Sequence, residues 1–87
     1  MEIIYEHNSQ ISSMDFSNDE QVIGFGDIDG VAIMLEGEDY EMIYTIKVPN
    51  EKVNAVKCDR NSGNFIFGFD YNLKICDSKG NIYQLKF

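Results

Sequence analysis

Ile43-Tyr44-Thr45-Ile46-Lys47-Val48 is nearly repeated as Ile82-Tyr83-Gln84-Leu85-Lys86-Phe87, and an Ile-Tyr pair also stands at Ile4-Tyr5, so the pair recurs at a constant spacing of 39 residues. Between these markers, Ile11-Ser12-Ser13-Met14-Asp15-Phe16 answers to Val53-Asn54-Ala55-Val56-Lys57-Cys58. In the same way Val22-Ile23-Gly24-Phe25-Gly26-Asp27 answers to Phe65-Ile66-Phe67-Gly68-Phe69-Asp70. The 87 residues therefore divide into a first repeat over 7–48 and a second over 49–87, within a single domain over 1–87. A stretch over 2–6 is left over and is cognate to 42–48 and 82–87. Chains of this length bury a reduced share of their surface, so the core is expected to be small.

Short apolar runs alternate with turn residues every eight to twelve positions, the pattern of an all-β protein. The runs predict strands over Glu2–Glu6, Ile11–Ser17, Gln21–Gly26, Val31–Glu36, Met42–Val48, Val53–Asp59, Asn64–Asp70, Asn72–Asp77 and Ile82–Phe87. Asn18-Asp19-Glu20, Asp29-Gly30, Pro49-Asn50, Asn61-Ser62-Gly63 and Lys79-Gly80 supply turn geometry and local side-chain hydrogen bonds between them. The runs Val22–Phe25, Val31–Leu35 and Phe65–Phe69 are apolar without alternation, as in strands covered on both faces. A period near forty with four strands in each points to propeller blades stacked face to face. The expected fold is two four-stranded antiparallel blades plus one extra N-terminal strand over 2–6.

The residues resemble the tryptophan-aspartate (WD) repeat propeller family. His7 precedes the first strand, Ile11 and Phe16 lie on it, and Gly26, the turn Asp29-Gly30 and the pair Leu35-Glu36 follow in that family's order. In the second repeat the pair is Cys76-Asp77. The chain departs from the pattern in having no Trp, no Gly before His7 and no His at Pro49-Asn50. The resemblance implies a structural hydrogen bond between His7 and Asp29.

The net charge of −8 is split. Residues 2–46 hold eleven acids and no Lys or Arg, whereas the remainder holds seven bases against four acids, or −11 and +3. Such a chain suits nucleic-acid backbones poorly, but its two ends are complementary to each other. No apolar run approaches the roughly 20 residues of a membrane span, and the N-terminus has no basic, apolar signal pattern. A cytoplasmic location is expected, with Cys58 and Cys76 reduced; one intervening strand would hold them about 9.6 Å apart, too far for a disulfide.

Chemistry is sparse. Asp27-Ile28-Asp29-Gly30 has alternate carboxylates and a glycine, as a calcium loop does, but Val31-Ala32-Ile33 supplies no further oxygen ligands. Gly24-Phe25-Gly26 with Gly30 misses dinucleotide spacing and leads into a strand rather than a helix. Nucleophilic catalysis needs a base beside the nucleophile, and the single histidine stands at position 7. No enzyme activity and no cofactor or metal are expected. The carboxylates Glu36, Glu38, Asp39 and Glu41 form a cluster that would suit a basic partner.

Two blades leave both outer faces open, and a propeller typically needs four to eight. Either three or four copies close a head-to-tail ring, or the chain docks on a larger propeller. The expected function is a non-enzymatic oligomeric scaffold presenting a protein-interaction surface. Two alternatives stand beside it: a small-ligand-binding ring with sites between blades or in the channel, and an acidic inhibitor that imitates nucleic acid.

Overall fold

The computed structural model describes residues 6–37, 39–77 and 79–86. Eight strands follow in order: β1 (Ile11–Phe16), β2 (Val22–Asp27), β3 (Val31–Glu36), β4 (Glu41–Lys47), β5 (Val53–Cys58), β6 (Phe65–Phe69), β7 (Asn72–Cys76) and β8 (Ile82–Lys86). They build two four-stranded antiparallel sheets, β1-β2-β3-β4 and β5-β6-β7-β8, in each of which every strand pairs with its neighbour in the chain. These are eight of the nine expected strands, with ends displaced by at most one residue. The ninth, over 2–6, lies outside the described residues except for Glu6, which is not in a strand. Among the described residues there is no helix, and so none long and apolar enough to cross a membrane.

Aspartates organise three of the turns. Asp27 Oδ1 accepts the N–H groups of Asp29 and Val31, both at 2.9 Å. Asp77 Oδ1 likewise accepts those of Lys79 at 2.9 Å and Asn81 at 2.8 Å, and Asp59 Oδ1 accepts that of Asn61. A carboxylate at the head of a turn satisfies N–H groups that no neighbouring strand reaches. Gly30 completes the β2–β3 turn at φ 86°, a backbone conformation that glycine adopts without a Cβ clash. Its carbonyl accepts the N–H of Val48, tying the turn to the end of β4.

Hydrogen-bond register runs alike in the two sheets and shifts one part of the alignment read along the sequence. In the first sheet Ser13 opposes Gly26, Met14 opposes Phe25 and Phe16 opposes Ile23; in the second Ala55 opposes Gly68, Val56 opposes Phe67 and Cys58 opposes Phe65. Both ladders are also irregular at the same place, between Ile11 and Ser13 and between Val53 and Ala55. Gly24 is therefore cognate to Ile66, Gly26 to Gly68 and Asp27 to Phe69, one residue away from the match read along the sequence. Pairing fixes this, because a one-residue slip would turn every side chain to the opposite face.

The core lies between the sheets. Ala32, Met34 and Ile46 from the first meet Val53, Val56, Cys58, Phe65, Phe67, Phe69 and Cys76 from the second. Two glycines make the approach possible. A Cβ on Gly24 would lie 2.5 Å from Cδ1 of Phe65, and one on Gly26 would run into the side chain of Val53. Phe65 and Val53 thus fill spaces that the glycines leave on β2, and both are fully buried. Truncating a phenylalanine so placed costs about 3–5 kcal/mol.

Side chains of β1 fasten the backbone of β5 beside this core. Ser12 Oγ donates to the carbonyl of Val53, Ser13 Oγ accepts the N–H of Val56 at 3.1 Å, and Asp15 Oδ2 accepts the N–H of Cys58 at 2.8 Å. A smaller cluster of Phe25, Ile33 and Leu35 lies on the other face of the first sheet, so β2 and β3 are covered on both sides as their sequence predicts. In the second sheet only one face of β6 is buried: Phe65, Phe67 and Phe69 are enclosed while Ile66 and Gly68 are half-exposed. There the expectation of two covered faces is not met, since among the described residues no sheet lies against that side.

Candidate functional site

His7 precedes β1 and reaches the end of β2. Its Nε2 lies 2.7 Å from Oδ2 of Asp27, and its ring meets Phe25 edge to face, with centroids 5.3 Å apart. The histidine partner implied by the family resemblance was Asp29; the structure gives Asp27 instead. The register explains the difference, because Ile11 opposes Asp27 and so brings the residues before β1 alongside the end of β2. Asp29 sits in the exposed turn, where its Oδ2 accepts Ser9 Oγ at 2.6 Å. Burial of Asp27 pushes its carboxyl pKa up, but hydrogen bonds from the Val31 N–H, His7 and the Asp29 N–H outweigh it and hold the pKa below its usual value. The arrangement fastens one segment to one turn.

The acidic cluster around the β3–β4 turn is exposed at Glu36, Asp39 and Glu41; Glu38 lies outside the described residues. Glu36 opposes Glu41 directly across the ladder, an arrangement of like charges that costs stability unless a cation relieves it. Among the described residues no group of three or more His, Cys, Asp or Glu could hold a metal ion. Cys58 and Cys76 are free thiols, both buried. Burial pushes both thiol pKa values up, reinforced by Asp15 and Asp77 respectively, so neither has the thiolate character of a reactive cysteine.

The prominent surface feature is apolar and lies along β1 on the outward side of the first sheet and along β8 on the outward side of the second. On the first sheet Ile11, Met14 and Phe16 of β1 are exposed, and Ile11 and Met14 border an open hollow of about 400 Å³ lined also by His7, Phe25 and Tyr40. On the second, Tyr83 and Leu85 of β8 are exposed beside half-exposed Ile66, Leu73 and Ile75. The repeat shows what these positions look like when covered. Met14 is 52% exposed and its cognate Val56 6%; Phe16 is 41% exposed and its cognate Cys58 1%; Leu85 is 55% exposed and its cognate Ile46 8%. The outward side of each sheet is thus the cognate of a side that the other sheet uses to make the core.

Compared with known proteins, the chain matches no family model and no curated protein.

The sequence leads one to expect both outer faces to be open but does not tell which rows lie on them, because apolar residues in a strand do not reveal which of them lack a cover. It presents Asp27 as part of a calcium-loop-like run rather than as the partner of His7. A signal was present there: Asp27-Ile28-Asp29-Gly30 and Asp77-Ser78-Lys79-Gly80 share an aspartate three residues before a glycine, the spacing of a carboxylate that caps its own turn.

Proposed function

We propose that this chain is a non-enzymatic scaffold built of two propeller-type blades, related to the WD-repeat propellers, that works by stacking its open faces into a larger assembly and presenting that assembly to protein partners. The carrying observation is the contrast in exposure at cognate positions. Positions of β1 and β8 whose cognates are sealed between the two sheets lie open on the outward sides. Leaving Ile11, Met14, Phe16, Tyr83 and Leu85 in water forfeits about 25 cal/mol for each Å² that a partner would cover. Contiguous apolar surface of this kind marks an interaction site. The acidic turn at Glu36, Asp39 and Glu41 lies on the rim, where a basic partner would relieve the Glu36–Glu41 opposition.

Sedimentation of the 87-residue protein tests the reading. Assembly predicts a mass that is a multiple of 10.0 kDa. A 10.0 kDa species at every concentration and salt tried would refute self-stacking as the mode of action.

A further inference from the structure

We propose that the cover for these open faces is a second copy of this chain, bound head to tail, with β1 of one copy seated on the β5–β6 side of the next. The proposal rests on the stacking function above and specifies its partner and geometry.

Side-chain volume supports it first. Within the chain, Phe65 fills the space over Gly24 and Val53 the space over Gly26. The cognate pairs between two copies are Ile23 over Ile66 and Ile11 over Gly68. A glycine facing a phenylalanine becomes an isoleucine facing an isoleucine, so the bulk is larger but divided evenly between the two sheets, and a contact between separate copies can set its spacing to fit where a closed core cannot. The second pair keeps its glycine. Within one chain Gly68 has no need to be glycine, since an added Cβ would meet only Ala55 atoms at 3.8 and 3.9 Å and its φ is ordinary. A neighbouring Ile11 supplies the need that Val53 supplies at Gly26.

Polar groups agree. Asp15 accepts the Cys58 N–H within the chain, and its cognate on the open face is Lys57, which cannot accept a hydrogen bond. The cognate of the Cys58 N–H is the Phe16 N–H, which already donates to its own Asp15 Oδ1 at 2.9 Å. The exchange at Asp15 and Lys57 therefore strands no donor, whereas the Ser13 acceptor of the Val56 N–H has only Ala55 as its cognate, so the Met14 N–H is left to solvent at that point. Asn18 and Arg60 hydrogen-bond within the chain, and they are cognates, so the same two residue types meet again between copies with their sheets exchanged. Lys57 and Arg60 of one copy would then approach the β1–β2 turn of the next, where Asp19 and Glu20 are exposed. This places the basic end of one chain on the acidic end of another, as the charge split of −11 and +3 favours.

Two variants test the orientation. Met14→Arg blocks the β1 face at an exposed position, and Gly68→Val blocks the β6 face while adding a strand-favouring residue where there is room. Circular dichroism and a thermal melt establish that each is folded. Should Gly68→Val fail to fold, Ala55→Arg at an exposed site of β5 blocks the same face and replaces it. Each variant alone is expected to sediment as a monomer under conditions where the unaltered chain assembles. Their equimolar mixture is expected to give a heterodimer and nothing larger, because one open β1 face meets one open β6 face. If the mixture stays monomeric, or either variant assembles alone as the unaltered chain does, the head-to-tail contact is wrong while the stacking function stands. If the unaltered chain is itself monomeric throughout, both fail.

Discussion

Replacing Gly24 with alanine adds a single methyl group, and the geometry around it sets the consequence. The new Cβ would lie 2.5 Å from Cδ1 and 2.6 Å from Cε1 of Phe65. Carbon atoms rest about 3.5–4.0 Å apart, so one of them must move by roughly 1 Å. Phe65 has little freedom to do so, because it is fully buried and stacked on Phe67 with ring centroids 6.2 Å apart. Overpacking of this kind costs about 1–3 kcal/mol. Loss of the glycine's flexibility in the unfolded chain returns about 0.5–1 kcal/mol, leaving a net destabilisation of ~1–2 kcal/mol. For a domain of this size that lowers the melting midpoint by roughly 5–15 °C, measured at one fixed protein concentration because assembly, where it occurs, would add to stability. Shortening the opposing ring in the double variant Gly24→Ala/Phe65→Leu should recover much of the loss. At concentrations where the chain is monomeric, Gly68→Ala should leave the midpoint unchanged or raise it, since within one chain the added Cβ has ordinary contacts only. A Gly24→Ala protein as stable as the parent would refute the view that β2 is built from glycine to admit Phe65.

Further outcomes follow from the carboxylates, the thiols and the charge split. Asp27 and Asp15 both have pKa values held below the ordinary 3.8, Asp27 by the Val31 N–H, His7 and the Asp29 N–H against burial, and Asp15 chiefly by the Cys58 N–H. Their stabilisation is therefore fully present above about pH 4 and is lost as pH falls through the folded-state values. Asp27→Asn should cost about 2–3 kcal/mol near neutrality and flatten the acid limb of a denaturation series, whereas an unchanged acid limb would contradict the assignment. Cys58 and Cys76 should resist a chromogenic thiol reagent in the folded protein and react in full once denaturant unfolds it; rapid labelling of the native state would show that they are not enclosed. Assembly should weaken as salt rises past about 0.15 M, because the surface charges that meet between copies are screened within about 8 Å there; indifference to salt would leave apolar contact as its sole basis.

Most of the fold could be read from residues in order. Strand ends follow Asn, Asp, Gly and Ser clusters because those residues turn the chain through local hydrogen bonds, as Asp59 and Asp77 do here. The repeat was visible in Ile43-Tyr44 and Ile82-Tyr83 because cognate strands keep similar side chains. Facing was harder to read. Val56 and Met14 are both apolar and both suit a covered position, so composition does not distinguish the enclosed one from the exposed one. The alignment of β2 with β6 slipped by one for a related reason: Gly24-Phe25-Gly26 and Phe67-Gly68-Phe69 match in two ways by type, and only the ladder to β1 and β5 decides between them. The partner of His7 depended on the same ladder, since the choice between Asp27 and Asp29 turns on which residue lies beside the approach to β1.

The Gly24–Phe65 pair also bears on the fidelity of assembly. Each sheet has one side carrying the larger residue and one carrying the recess, but the sizes differ between the sheets. Because Gly24 and Phe65 already fill each other within the chain, the sides left open carry Ile23 on the first sheet and Ile66 on the second. Any pairing of copies that set Phe65 against Ile66, or Ile23 against Gly24, would first have to part the ring from its glycine and so open the core, leaving crowding on one side and a void on the other. Enclosing the unequal pair inside each chain thus keeps the more evenly sized residues for whatever comes to cover the outside.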